Sequence, residues 1–299
     1  MKNTTKAYLS ASLYSIFAGC SFLFVKIALG YTNPIDLLFY RYLVSFIFVI
    51  ILSIKYKDKL SLSKDRVLKL LPLSIFYPTL FFLFQTFGLQ YTTSSEAGIF
   101  SALTPIFTLI LASILIDEKT NTYQKISVLI SVLGVIYITI KKSNGLEISN
   151  MKGIIFLILS TLSFSIYSIM LKSYTKEYNS MELSFTISTF GFIFFSILSL
   201  INRLKLGTIS KIVLPLGNIN FLMAIIYLGF LASLCTSLLT SYSLKTIKAS
   251  QMSVFSNLAT VISIIAGVIV LNEEVYYYHI IGSLMIIIGV VGVNFLKEK

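Results

Sequence analysis

Three ionisable side chains stand in or beside otherwise apolar stretches of this chain: Lys26, Arg41 and Glu96. A charge at the centre of a hydrocarbon-spanning helix costs about 2.5–3.5 kcal/mol on insertion scales, so each calls for a partner or a task. Arg41 follows Pro34 by seven residues, about 10 Å into its segment at ~1.5 Å per residue. Its planar guanidinium suits a carboxylate, and Glu96 is the first choice of partner. Lys26 stands four residues before Gly30, close enough to a segment end to snorkel to the interface. For Glu96 three roles stay open: an interfacial carboxylate in water, an ion pair with Arg41 or Lys26, or a protonatable group that couples transport to protons.

Uncharged polar residues deeper in the apolar stretches are candidates for lining a cavity. Tyr77, Phe81 and Gln85 form one stripe at helical spacing, Ser101 and Thr104 a second, and Ser256 with Asn257 a third, while Tyr167 and Ser237 stand singly in their segments. A pocket of aromatic rings with a few amides and hydroxyls suits a zwitterionic or moderately apolar metabolite. Interhelical hydrogen bonding is the alternative use of each. Other chemistries lack their parts. The single His279 follows three tyrosines in an interfacial pattern, Cys20 and Cys235 are isolated in apolar segments, and no GxxxxGK[ST] loop is present. Metal catalysis, nucleophilic catalysis and direct ATP drive are therefore not expected, nor is a cofactor.

The elements that must position these residues follow from composition. With 56% hydrophobic and 12% charged residues in 299, and a mean hydropathy of +0.88, the chain reads as an integral membrane protein. Ten apolar segments have roughly the length of a spanning helix, at 8–29, 34–54, 70–91, 94–116, 124–140, 153–172, 181–201, 220–243, 249–271 and 278–296. The net charge of +12 is spread over segment ends and the loop from Lys55 to Lys69, a pattern of topology determinants and not of nucleic-acid contact. With the N-terminus in the cytoplasm, 16 basic residues fall inside and 6 outside, so both termini are expected in the cytoplasm.

The chain also repeats itself. Residues 88–140 align with 243–295 at a constant offset of 155, pairing Ser95/Ser250, Phe100/Phe255, Ser101/Ser256, Leu103/Leu258, Glu118/Glu273, Tyr123/Tyr278 and Gly134/Gly289. Five crossings per half would invert one copy relative to the other, as in many secondary transporters. The expected fold is all-α, ten transmembrane helices in two inverted five-helix repeats over 1–143 and 150–299. Glu118 and Glu273, acids at helix C-termini, are expected in loop or dimer contacts.

The stretch GLQYTTSSEAGIFSALTPIFTLILASILIDEK followed by QKISVLISVLGVIYI, together with FYRYLVSF at Phe39–Phe46, resembles the EamA domain of the drug/metabolite transporter superfamily. The second copy departs from the pattern where Thr260 stands in place of Pro105. Pro105 itself either exposes polar backbone to a cavity or makes a static packing kink. The resemblance implies a secondary transporter in the cell membrane, a small-molecule substrate, and a lean toward export. A lipid-like substrate flippase, or an importer of a small cation or nucleobase, remains the alternative, and either a monomer or a homodimer is compatible.

Overall fold

The computed structural model describes the chain apart from residues 1, 56–59, 61–62, 102, 118–120, 143–147, 209–214, 272–273, 275 and 296–299. Its elements are α1 (Lys2–Leu29), α2 (Pro34–Lys55), the short α3 (Lys64–Lys69), α4 (Leu71–Tyr91), α5 (Ser94–Ser101), α6 (Thr104–Leu115), α7 (Thr122–Lys142), α8 (Ile148–Tyr174), α9 (Ser180–Leu206), α10 (Ile219–Leu244), α11 (Ala249–Leu271) and α12 (Tyr277–Phe295). No strand occurs among the described residues. Among the described residues seven helices are long and apolar enough to cross a membrane; α6, α7 and α12 hold shorter apolar stretches. The expected fourth segment is two helices, α5 and α6, where one interrupted helix was expected. Glu118 and Glu273 lie outside the described residues.

The first break has a covalent cause. Pro105 has no N–H, so the carbonyl of Ser101 loses its helical donor. The Thr104 hydroxyl supplies one instead at 2.6 Å, and Ser256 Oγ, from α11, approaches the same oxygen at 3.5 Å. Helix α4 repeats the device: Pro78 leaves the Ser74 carbonyl free, and Thr79 Oγ1 donates to it at 3.1 Å. The residue before this proline is pushed out of the helical region, and Tyr77 has φ −143° and ψ 115°. At the positions 155 further on, α10 and α11 carry Ser233 and Thr260. There α10 winds as a π-helix over Tyr227–Cys235 and α11 runs unbroken.

Helices at corresponding places in the two halves lie against one another and run antiparallel. In α2 and α9 the start of each helix meets the far end of the other. Asp36, in the first turn of α2, receives a two-pronged contact from Arg203 (Nη2 2.8 Å, Nε 3.1 Å), and Ser199 Oγ donates to it at 2.5 Å. Glu182, in the first turn of α9, is met by Arg66 from α3 at 3.3 Å. Each acid stands three residues after a capping asparagine, Asn33 or Asn179, whose Oδ1 accepts the acid's own backbone N–H at 3.0 and 2.9 Å. Between the ion pairs, Ser45 and Ser188 share a hydrogen bond of 2.9 Å and Phe46 stacks on Phe192.

The pair α7 and α12 is closer still. A Cβ on Gly134 would stand 2.7 Å from the Gly282 carbonyl, and one on Gly289 2.5 Å from that of Ser127. Only glycine permits this approach, and small residues at such seams let membrane helices gain dispersion contact. Away from these pairs the packing is reciprocal: α1 rests on α10 and α11 as α8 rests on α4, α5 and α6.

The two ion pairs differ in surroundings, which gives an expected order of stability effects. Arg203 and Asp36 are both almost fully buried, whereas the Arg66 side chain is 36% exposed over a Glu182 that is only 4% exposed. Arg203→Gln should cost about 3–5 kcal/mol because it strands a buried carboxylate and removes a buried cation. Arg66→Gln should cost less, because the arginine side of the pair is open to water and the Asn179 backbone N–H still donates to the Glu182 carboxylate. Thermal unfolding of the detergent-solubilised variants measures both, and equal losses would contradict this reading.

Candidate functional site

A cavity of about 40 Å³ lies where both halves meet, lined by Tyr14, Ala18, Ser21 and Phe22 of α1, Arg41 of α2, Tyr77, Phe81, Phe82 and Gln85 of α4, Ser101 and Thr104 at the α5/α6 break, Thr161 and Phe164 of α8, Ala232 and Thr236 of α10, and Ser256 and Ala259 of α11. That space holds a few waters and no metabolite. Its wall is aromatic on one side. Tyr77 lies 5.4 Å from Phe81, Phe81 lies 5.2 Å from Phe164, and Tyr14 stacks on Phe164 at 6.2 Å, ring centre to ring centre. The kink at Pro78 places Tyr77 in this wall.

Arg41 is fully buried. Its Nε donates to Ser233 Oγ at 2.7 Å and its Nη2 to the Ala232 carbonyl at 3.0 Å, while the Phe82 ring covers the guanidinium at 3.8 Å. Nη1 has no hydrogen-bond partner, and the same holds for Oε1 of buried Gln85. Among the described residues no carboxylate pairs with Arg41. The Glu96 side chain, its expected partner, lies outside the described residues. The carboxylate of α2 that does find an arginine is Asp36, through Arg203.

Lys26 does not simply snorkel to the interface. Its Nζ donates to the Leu89 and Thr92 carbonyls, at 3.0 and 2.7 Å, closing the C-terminal end of α4. Lys172 does the same for α10, donating to Leu244 and Ile247 at 2.6 and 2.7 Å. The acceptors of the second lysine stand 155 positions after those of the first. A cation at a helix C-terminus meets both the orphan carbonyls and the negative end of the helix dipole.

Six of the expected cavity residues line this space: Tyr77, Phe81, Gln85, Ser101, Thr104 and Ser256. Three do not. Tyr167 lies behind the wall, stacked on Tyr77 at 4.4 Å. Ser237 shares a hydrogen bond of 2.9 Å with Ser184 of α9, and Asn257 turns away to Ser131 of α7. Sequence reasoning missed Tyr14, Thr161, Phe164 and Thr236, which carry no signal distinguishing cavity from lipid. It also missed Asp36 and Glu182, although Asn-x-x-Asp at 33–36 and Asn-x-x-Glu at 179–182 repeat a helix-start signature. His279 is buried against its tyrosines, and its Nδ1 accepts the Tyr276 backbone N–H at 3.1 Å.

Comparison with known proteins places these features among membrane transporters. The EamA-like transporter family matches residues 5–140 and again 151–295. An uncharacterized transporter of Bacillus subtilis, YcxC, is 40% identical over 295 residues, covering 99% of this chain and 95% of that protein. An uncharacterized transporter of Archaeoglobus fulgidus is 27% identical, covering 95% and 97% respectively. A solved crystal structure of another protein shares the fold with a TM-score of 0.72 at 14% identity, over 97% of this chain and 96% of its own.

Both lysine caps yield a shared expectation. Lys26→Met and Lys172→Met each remove two hydrogen bonds from a charged donor, of the kind worth about 1.5–3 kcal/mol apiece in favourable cases. Each variant should unfold at a lower temperature in detergent, by similar amounts. A large loss for one and none for the other would refute their equivalence.

Proposed function

This chain belongs to the EamA-like transporter family, and from that premise we propose that it moves a small zwitterionic or amphiphilic metabolite by alternating access between two inverted five-helix repeats. It is a transporter and not an enzyme. Export across the cell membrane, with both termini in the cytoplasm, is the direction this reading takes, and protons are the coupling ion it admits. The repeats extend over 1–143 and 150–299.

One observation carries the inversion. A pseudo-two-fold axis in the membrane plane brings corresponding helices together antiparallel, whereas an axis along the membrane normal brings them together parallel. The pairs α2 with α9, α7 with α12, and α5 with α11 all follow the antiparallel pattern. A reciprocal rule also holds at residue level, as across any two-fold interface: Ser45 meets Ser188 while Tyr42 lies over Gly191, the same contact with the halves exchanged. Ser101 and Ser256, equivalents in the repeat, meet each other, which puts them beside the axis and in the cavity wall.

The ion pairs supply the ends that alternation needs. Asp36 with Arg203 ties the halves at one end of α2 and α9, and Glu182 with Arg66 ties them at the other. With both tied and the cavity contracted, the conformation fits an occluded state. Opening toward either side requires that end's contacts to part.

Two experiments test the reading. Amino acids, nucleobases, polyamines and cationic dyes are screened by thermal shift on purified protein, since a ligand of the folded state raises its stability. Uptake of the stabilising compound into proteoliposomes should then disappear in Ser101→Phe and Ser256→Phe with expression retained. Wild-type transport by both variants would place the route elsewhere. For orientation, single cysteines replace exposed Tyr31 and Lys176 after Cys20 and Cys235 are removed. Cysteine at 31 should react with an impermeant thiol reagent in intact cells, and cysteine at 176 only after permeabilisation. The opposite order would invert the topology.

A further inference from the structure

Among the described residues that line the cavity, two carry a buried polar atom without a partner, the Nη1 of Arg41 and the Oε1 of Gln85. Both residues are at least nine-tenths buried. They differ in kind, one a charged donor and the other a neutral acceptor. We propose that they form the polar recognition site for a substrate carrying a carboxylate and a hydrogen-bond donor, an amino acid or hydroxy acid, with its carboxylate on Arg41 and its donor on Gln85. This deepens the transport reading above and rests on it.

The argument starts from charge. A guanidinium stays protonated at any pH a protein survives, so burial cannot neutralise it as it can a lysine. Arg41 spends its Nε and Nη2 on a hydroxyl and a carbonyl, and Phe82 takes up one face of the group. All three are uncharged. They hold the fork in place without cancelling its charge, and Nη1 is left without a partner in a side chain that lines the cavity. A buried arginine held this way is preorganised for an anion, and a planar carboxylate matches its geometry. Gln85 then decides between acids. Its carbonyl oxygen rewards a ligand with an N–H or O–H and leaves an unsatisfied acceptor beside one without. Phe81, Phe164 and Tyr14 offer rings to the remainder of the molecule.

Ligand-side substitution on the wild-type protein provides the test. The thermal-shift panel contains the common amino acids, their carboxamides, the amines left by decarboxylation, and the acids lacking the amino group. At least one amino acid should stabilise the protein, and its carboxamide and amine should bind at least tenfold more weakly. In Gln85→Leu, the preference for the amino acid over its des-amino acid should shrink to within about twofold. Arg41→Lys should retain a preference for the carboxylate at reduced affinity, and Arg41→Gln, if it folds, should lose it. Stabilisation by carboxamides or amines as strong as by the acids overturns the proposal, and so does an absence of stabilisation by every carboxylate in the panel. A transported compound without a carboxylate, still blocked by Ser101→Phe, would overturn this assignment alone. Transport that ignores phenylalanine at Ser101 and Ser256 would instead remove the site on which it rests.

Discussion

Hydrocarbon offers no water, so each polar group that leaves a helix's own hydrogen-bond ladder must be met by the protein itself. Most of the features described here answer that single demand. Prolines at 78 and 105 each free a carbonyl, and a threonine one residue away covers it. The helices α4 and α10 end with bare carbonyls, and a lysine from a neighbouring helix reaches across to them. Asp36 starts a helix and would be stranded but for Asn33, Ser199 and Arg203 around it. Some buried side-chain atoms find no such partner, and among them Arg41 Nη1 and Gln85 Oε1 belong to residues that line the cavity.

Helical segments were legible because hydrophobic length is a strong signal, and most of their ends fall within a few residues of expectation, although α1 and α8 begin earlier, α9 runs on further and the fourth segment is broken in two. The site was legible in part. Reading depth and small polar character found Ser101, Thr104, Ser256 and Gln85. It could not choose between neighbours: successive residues on a helix point about 100° apart, and here Ser256 lines the cavity while Asn257 bonds Ser131, and Thr236 lines it while Ser237 bonds Ser184. Aromatic residues such as Tyr14 and Phe164 were invisible for another reason, since rings toward lipid and rings toward a cavity look alike in sequence. Asp36 and Arg203 escaped notice because each stands at a helix end, where a charge calls for no explanation. Only the three-dimensional pairing of distant helix ends makes them informative.

Likeness between the halves does not extend to their helix breaks. The first half breaks twice at proline, whereas the second places Ser233 and Thr260 at those positions. Both hydroxyls act across the halves: Ser233 Oγ accepts from Arg41, and Thr260 Oγ1 donates to the Gly98 carbonyl at 2.6 Å. One half thus presents helices broken at proline, and the other presents hydroxyls that hydrogen-bond across to it. This difference between the halves gives the cavity unlike walls.

The meeting of Ser101 with Ser256 has a kinetic corollary. In the proposed alternating access, exchanging the halves carries Ser101 into the place of Ser256, so altering both together would raise or lower the barrier between the two orientations without favouring either. Arg66 and Arg203 each tie one end alone, and altering one of them would tilt the balance of populations. On that proposal rate and directionality lie in different parts of the chain, and selection could tune turnover and sidedness separately.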